Sequence, residues 1–201
     1  MASTSILPFP YPLSPGTDIC HIPRIRRILE KDQKHVERFG QRMFSRAELP
    51  GFQERYDKVL QQRQTMSAHA PIQGTDDRSN IISDVQYSPY DRELLKLSNW
   101  MAGRFAAKEA AKKAMFPHRL AWHKAEVLTL PGRRKPVLVI HTSSPKADSH
   151  ENEDRDHQQL RRQAAQHSIS HDGDYATANV LAVNCFSVFS AIETLEDREE
   201  V

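Results

Sequence analysis

A single uninterrupted helical pattern in the middle of the chain constrains the fold more than any other feature. From Asp91 to Met115 the sequence is rich in Ala, Leu, Lys and Glu, follows Ser88-Pro89 and runs out before Pro117. Those residues favour helix, and a proline is expected to end it. Leu94, Leu97, Met101 and Phe105 step by three, four and four residues, so they share one face. The next step lands on Glu109, a carboxylate on a face that should be buried, with Lys113 one turn beyond. Two readings are open. An ordinary Glu–Lys pair at i,i+4 adds only about 0.2–0.5 kcal/mol. A carboxylate buried without a partner costs several kcal/mol, and points instead to a site for metal or phosphate.

The elements around this helix indicate an α+β fold with a small antiparallel sheet. Gly16 to Ile22 reads as a strand running into a turn. Pro23 suits the first turn of a helix, and Ile22, Ile25, Ile28 and Leu29 form its apolar stripe. A second helical stretch covers roughly Val36 to Phe44, and Ser45-Arg46-Ala47-Glu48 has the spacing of a capping box. After the long helix, His123–Leu130 and Pro136–His141 form a hairpin pattern around Pro131-Gly132-Arg133-Arg134. Gln158–Gln166 is expected to form a short basic helix, and Tyr175–Val183 a last strand. One domain over 14–187 is expected, preceded by an extension over 1–13 and followed by an acidic tail over 188–201. Polar insertions interrupt it near 50–89, where a polar helical piece passes into Ser/Asp/Gly/Gln-rich sequence, and near 143–157.

The charge balance, 28 Lys+Arg against 26 Asp+Glu, gives a formal +2 and argues against a dedicated nucleic-acid binder. Nowhere do eighteen apolar residues run together, so no membrane-spanning helix is expected. Two cysteines, Cys20 and Cys185, are too few for a disulfide framework, which suggests an intracellular, reducing setting. The first fifteen residues carry no Lys or Arg and fit neither a secretory signal nor an Arg-rich transit peptide.

Among candidate chemical groups, Asp18 stands just behind Gly16, where backbone approaches closely. By itself it reads as a turn aspartate. Together with a helix carboxylate it could hold a hard cation, because magnesium takes one or two carboxylates plus water and phosphate oxygens. Ser170-His171-Asp172 superficially suggests a hydrolase triad, but no Gly-x-Ser-x-Gly elbow accompanies it. No pair among the ten histidines has zinc spacing with cysteine. Arg24, Arg27 and Lys31 form a row that reads as a solvated helix face or as a dock for an acidic partner.

Several blocks, in order, resemble the small holo-acyl-carrier-protein synthases, a type of 4'-phosphopantetheinyl transferase. They are Gly16-Thr17-Asp18-Ile19 with Arg24-Ile25, then Arg38-Phe39 and Phe44-Ser45-Arg46-Ala47-Glu48-Leu49. The helix Trp100-Met101-Ala102-Gly103-Arg104-Phe105-Ala106-Ala107-Lys108-Glu109-Ala110, with Lys113 behind it, is similar to the family's signature helix almost letter for letter. Lys135-Pro136, Ser168-Ile169-Ser170-His171 and Tyr175-Ala176 resemble later blocks. Phe116-Pro117-His118-Arg119 departs from the Gly-rich loop usual after that helix, and Arg134 stands where many relatives carry Gly.

The resemblance implies transfer of 4'-phosphopantetheine from coenzyme A to a serine of an apo-acyl carrier protein, leaving 3',5'-ADP. It implies magnesium held by Asp18 and Glu109, with Lys113 at the phosphates. Arg104, Lys108, Lys135, Ser170 and His171 would bind coenzyme A, and Lys96 would reach the site across a subunit interface. Arg24 and Arg27 would receive the acidic carrier. A single half of this type implies a homotrimer, and the polar insertions suggest a free-standing fungal enzyme serving mitochondria, with the cytoplasm as alternative. A catalytically silent relative that only binds carrier or coenzyme A is the competing expectation.

Overall fold

The structure, a computed structural model, describes residues 11–68, 87–116, 119–133, 135–142 and 161–183. Strand β1 (Leu13–His21) leads directly into α1 (Ile22–Leu29), which has Pro23 in its first turn. Helix α2 (Gln33–Met43) starts at Asp32, whose carboxylate accepts from the His35 N–H at 3.0 Å. Next come α3 (Leu49–Ala68), the long α4 (Pro89–Ala114) and a 3-10 turn over Trp122–Lys124. The strands β2 (Ala125–Leu128), β3 (Val137–Thr142), β4 (Arg161–Asp172) and β5 (Tyr175–Val183) complete the chain.

The five strands are antiparallel throughout, in the order β1-β5-β4-β3-β2. Helix α4, about 39 Å long at 1.5 Å per residue, lies between this sheet and α1 and α3. Its 26 residues are capped by Ser88, whose hydroxyl accepts from the Asp91 N–H at 3.0 Å. Leu94, Leu97 and Met101 are fully buried, as their spacing predicts. Phe105 is only half-buried, and the stripe emerges from the core there. A second stripe, Ala102, Ala106, Ala110 and Ala114, is fully buried. These small side chains let the sheet approach the helix backbone, and α4 packs closely on β1 and β5.

One expectation changes. The segment expected as a basic helix over 158–166 is, from Arg161 onward, the first half of β4. Its Arg and Gln residues favour helix locally, but pairing with β3 prevails: Ala165 sits opposite Leu138 and is buried, while Ala164 and Gln166 face outward. The helical opening expected for the stretch from 50 is present as α3, which continues to Ala68. The insertion residues 69–86 and 143–157, the extension over 1–10, Pro117, His118, Arg134, residues 158–160 and everything from 184, Cys185 and the tail included, lie outside the described residues.

Candidate active site

Strand β1 meets α4 at Gly16, where a side chain would lie 1.9 Å from the Ala110 carbonyl oxygen. That approach sets Asp18, two residues on, beside the end of α4 that bears Glu109 and Lys113. The Lys113 ammonium bonds Asp18 Oδ1 at 2.8 Å and the Thr17 carbonyl at 2.7 Å. The i,i+4 pairing of Glu109 with Lys113 is therefore not the contact formed. Glu109 Oε1 instead accepts from Lys112 Nζ at 2.9 Å and from the Trp122 indole N–H.

The two carboxylates are thus arranged alike. Each is mostly buried, with side chains 16% and 22% exposed for Asp18 and Glu109. Each has one oxygen held by a lysine, and among the described residues the other oxygen has no protein partner. Glu109 is therefore neither without a partner nor paired with Lys113 at i,i+4. Two hard oxygens with neighbouring ammonium groups suit a cation shared with a phosphate. Among the described residues no cluster of three or more His, Cys, Asp or Glu side chains can enclose a metal. Magnesium needs no such cage, because water and substrate phosphate complete its shell.

Lys108, expected at coenzyme A, lies elsewhere. Its side chain is fully buried and its ammonium bonds Glu48 at 2.7 Å, the Trp122 carbonyl at 3.1 Å and the Ala125 carbonyl at 2.5 Å. An ammonium has three N–H donors, so none is left for a ligand. Burial pulls Lys108 below the usual lysine range, and the Glu48 charge opposes this. Glu48 in turn accepts from the Ser45 N–H at 3.0 Å, the return half of the capping box, and from the Val127 N–H at 3.0 Å. This core junction of α3, α4 and β2 went unnoticed in the sequence.

The other expected groups are more dispersed. The Arg104 guanidinium lies 3.8 Å over the Trp100 ring, on whose ring Arg55 also rests at 4.7 Å. Burial pushes Arg104 down to about 10, with the Glu48 charge raising it. His171 points to α4, where its Nε2 is 2.9 Å from the Asn99 carbonyl beside Gly103. Ser170 alternates to the opposite face of β4, so the two do not converge. Lys135 is exposed at a shallow surface depression with Arg133, Pro136 and His167. Lys96 is exposed and pairs with Glu93 at 2.6 Å. Arg24 and Arg27 are exposed on α1, with Arg24 5.6 Å over the Phe105 ring.

Scanned against models of protein families, the chain matches none. Relatives are nevertheless clear. The chain is 31% identical over 180 residues to 4'-phosphopantetheinyl transferase B, mitochondrial, of Aspergillus fumigatus, spanning 88% of this chain and 97% of that protein. It is 35% identical over 107 residues to holo-[acyl-carrier-protein] synthase of Beutenbergia cavernae, spanning 53% and 82%. Among solved structures, the holo-ACP-synthase from Plasmodium yoelii is 23% identical, with 85% and 94% covered and a TM-score of 0.46. Near-complete alignment to the fungal enzyme, at that identity, means that the chain belongs to the 4'-phosphopantetheinyl transferases of the holo-acyl-carrier-protein synthase type.

Proposed function

We propose that the chain transfers 4'-phosphopantetheine from coenzyme A to a serine of an acidic apo-acyl carrier protein in a magnesium-dependent reaction. The observation that carries this is that Asp18 and Glu109, from strand and helix, each have one oxygen held by a lysine and, among the described residues, one oxygen without a protein partner. In the reaction the serine oxygen forms a bond to the β-phosphorus of coenzyme A. The bond from that phosphorus to the bridging oxygen breaks, and 3',5'-ADP departs. Phosphoryl transfer of this kind depends on positioning and on neutralising charge. Asp18 and Glu109 would hold magnesium, which supplies charge neutralisation at the pyrophosphate. Lys113, tethered at Asp18 and half-exposed, offers its ammonium to the oxygen that leaves. The serine proton passes to Glu109 or to a water that Glu109 orients.

Arg104, Lys135 and His171 are assigned to coenzyme A in this reading, and Arg24 and Arg27 to the acidic face of the carrier. Assembly as a homotrimer is supported by the outer face of the sheet, where Ile19, Tyr175, Leu181 and Val183 are exposed on β1 and β5. Ser170 shares that face, and Lys96 would act across the interface. A mitochondrial site of action is supported by the name of the Aspergillus fumigatus relative.

Intact mass of an apo-carrier protein, after incubation with the chain, coenzyme A and magnesium, tests the reading. A gain of one phosphopantetheine is expected, abolished by chelator and reduced by orders of magnitude in Glu109→Gln. No gain with several carriers, despite measurable binding of coenzyme A, would identify a silent relative instead.

A further inference from the structure

Trp122 is neither part of the helix pattern nor among the residues implied by the family resemblance, yet it touches Glu109 directly. Its indole N–H donates to Glu109 Oε1, the same oxygen that Lys112 holds. The ring itself has little freedom. Phe105 meets it edge-on with centroids 5.4 Å apart, Arg42 lies 5.8 Å from its centroid and Lys112 lies 5.5 Å from it. Its backbone carbonyl accepts from the fully buried Lys108, which Glu48 anchors. A continuous chain of contacts therefore runs from the core pair Glu48–Lys108, through the Trp122 main chain, to the indole and the carboxylate.

A glutamate at the edge of a helix has several accessible rotamers, and a lysine on a flexible stem restrains it weakly. An indole has two side-chain torsions and one donor at a fixed position, and a largely buried one needs an acceptor. We propose that Trp122 is a positioning residue: its indole N–H, seated by the Glu48–Lys108 pair, selects the Glu109 rotamer that presents the second carboxylate oxygen to the cation. The inference rests on the magnesium reading of the site given above. Its physical class is the outer partner that orients a metal-ligating side chain, whose loss typically costs about 10–100-fold in metal affinity.

The test is Trp122→Phe, which keeps a ring against Phe105 and removes only the N–H. Magnesium is titrated calorimetrically into the protein with coenzyme A and no carrier, so no turnover occurs. The magnesium dissociation constant is expected to rise about tenfold or more, while the thermal midpoint and the KM for carrier stay near those of the parent. A folded Trp122→Phe protein with unchanged magnesium affinity would overturn the inference. A second measurement needs no variant at Trp122. The chain has two tryptophans, and the Trp122 indole N–H resonance should move on adding magnesium and, without metal, in Glu109→Gln. Indifference to both would overturn the contact itself. Parent protein that binds no magnesium, while its indole signal still answers to Glu109→Gln, would instead sink the magnesium reading and the metal-orienting role with it.

Discussion

Replacing Gly16 by alanine should separate the two halves of the site. The added Cβ would lie 1.9 Å from the Ala110 carbonyl oxygen, 2.7 Å from the Ala114 nitrogen and 2.9 Å from the Ala110 carbonyl carbon. All three are main-chain atoms of α4, so no side chain can swing aside. A carbon approaches a carbonyl oxygen no closer than about 3.3 Å, so strand and helix must part locally by about 1.4 Å. Overpacking of this kind costs about 1–3 kcal/mol, which for a chain of this size lowers Tm by about 2–12 °C. The shift falls between Asp18, two residues along β1, and Glu109, which precedes Ala110. A misplacement of about 1 Å in a reacting constellation can reduce rate about a hundredfold. The assay is kcat for carrier modification alongside a thermal melt. Gly51→Ala is the control, because its Cβ would meet only the ends of Arg55 and Trp100, at 3.6 and 3.9 Å. It should leave both quantities near parental. A Gly16→Ala protein with parental kcat and Tm would refute the claim that this close approach registers the two carboxylates.

Three further outcomes follow from the same geometry. Lys108→Met leaves Glu48 buried without its counter-ion and should destabilise the fold by about 3–5 kcal/mol in denaturant titration; a loss below about 1 kcal/mol would contradict the buried pair. His167 is buried, and desolvation holds its imidazole below the ordinary value of 6.5. The unfolded chain therefore takes up this proton first as pH falls, so the contribution of His167 is complete above about 6.5 and is lost as pH drops through the folded value. Melts from pH 8 to 5 should show that decline flattened in His167→Gln, and parallel curves would count against it. Light scattering at micromolar concentration should give the mass of three chains, whereas a monomer mass would exclude the trimer.

The long helix was legible because its signals are local. The Leu94-Leu97-Met101 period, the start after Ser88-Pro89 and the signature block of the helix each lie within a few turns of chain, and local propensity and packing agree there. The β2–β3 hairpin was legible for the same reason, with Gly132 at positive φ in its turn, whereas the β4–β5 hairpin around Gly173 was not, because β4 was not read as a strand. Segment 161–166 was misread because its composition favours helix while its pairing with β3 is a long-range fact. What tertiary structure alone decided is which partner each charge takes. Spacing offered Lys113 to Glu109, but the approach of β1 at Gly16 gives it Asp18, 95 residues away. Lys108 sits in a motif that looks like a ligand site, yet α3 brings Glu48 to it from 60 residues away and seals both in the core. The Trp122 contact carried one faint sequence signal, an indole placed just after the site helix and needing an acceptor. An ion pair or a single hydrogen bond is selected by distance and desolvation in the folded chain. Helical periodicity therefore determines which face a residue occupies, and the packing of a remote element determines what it touches.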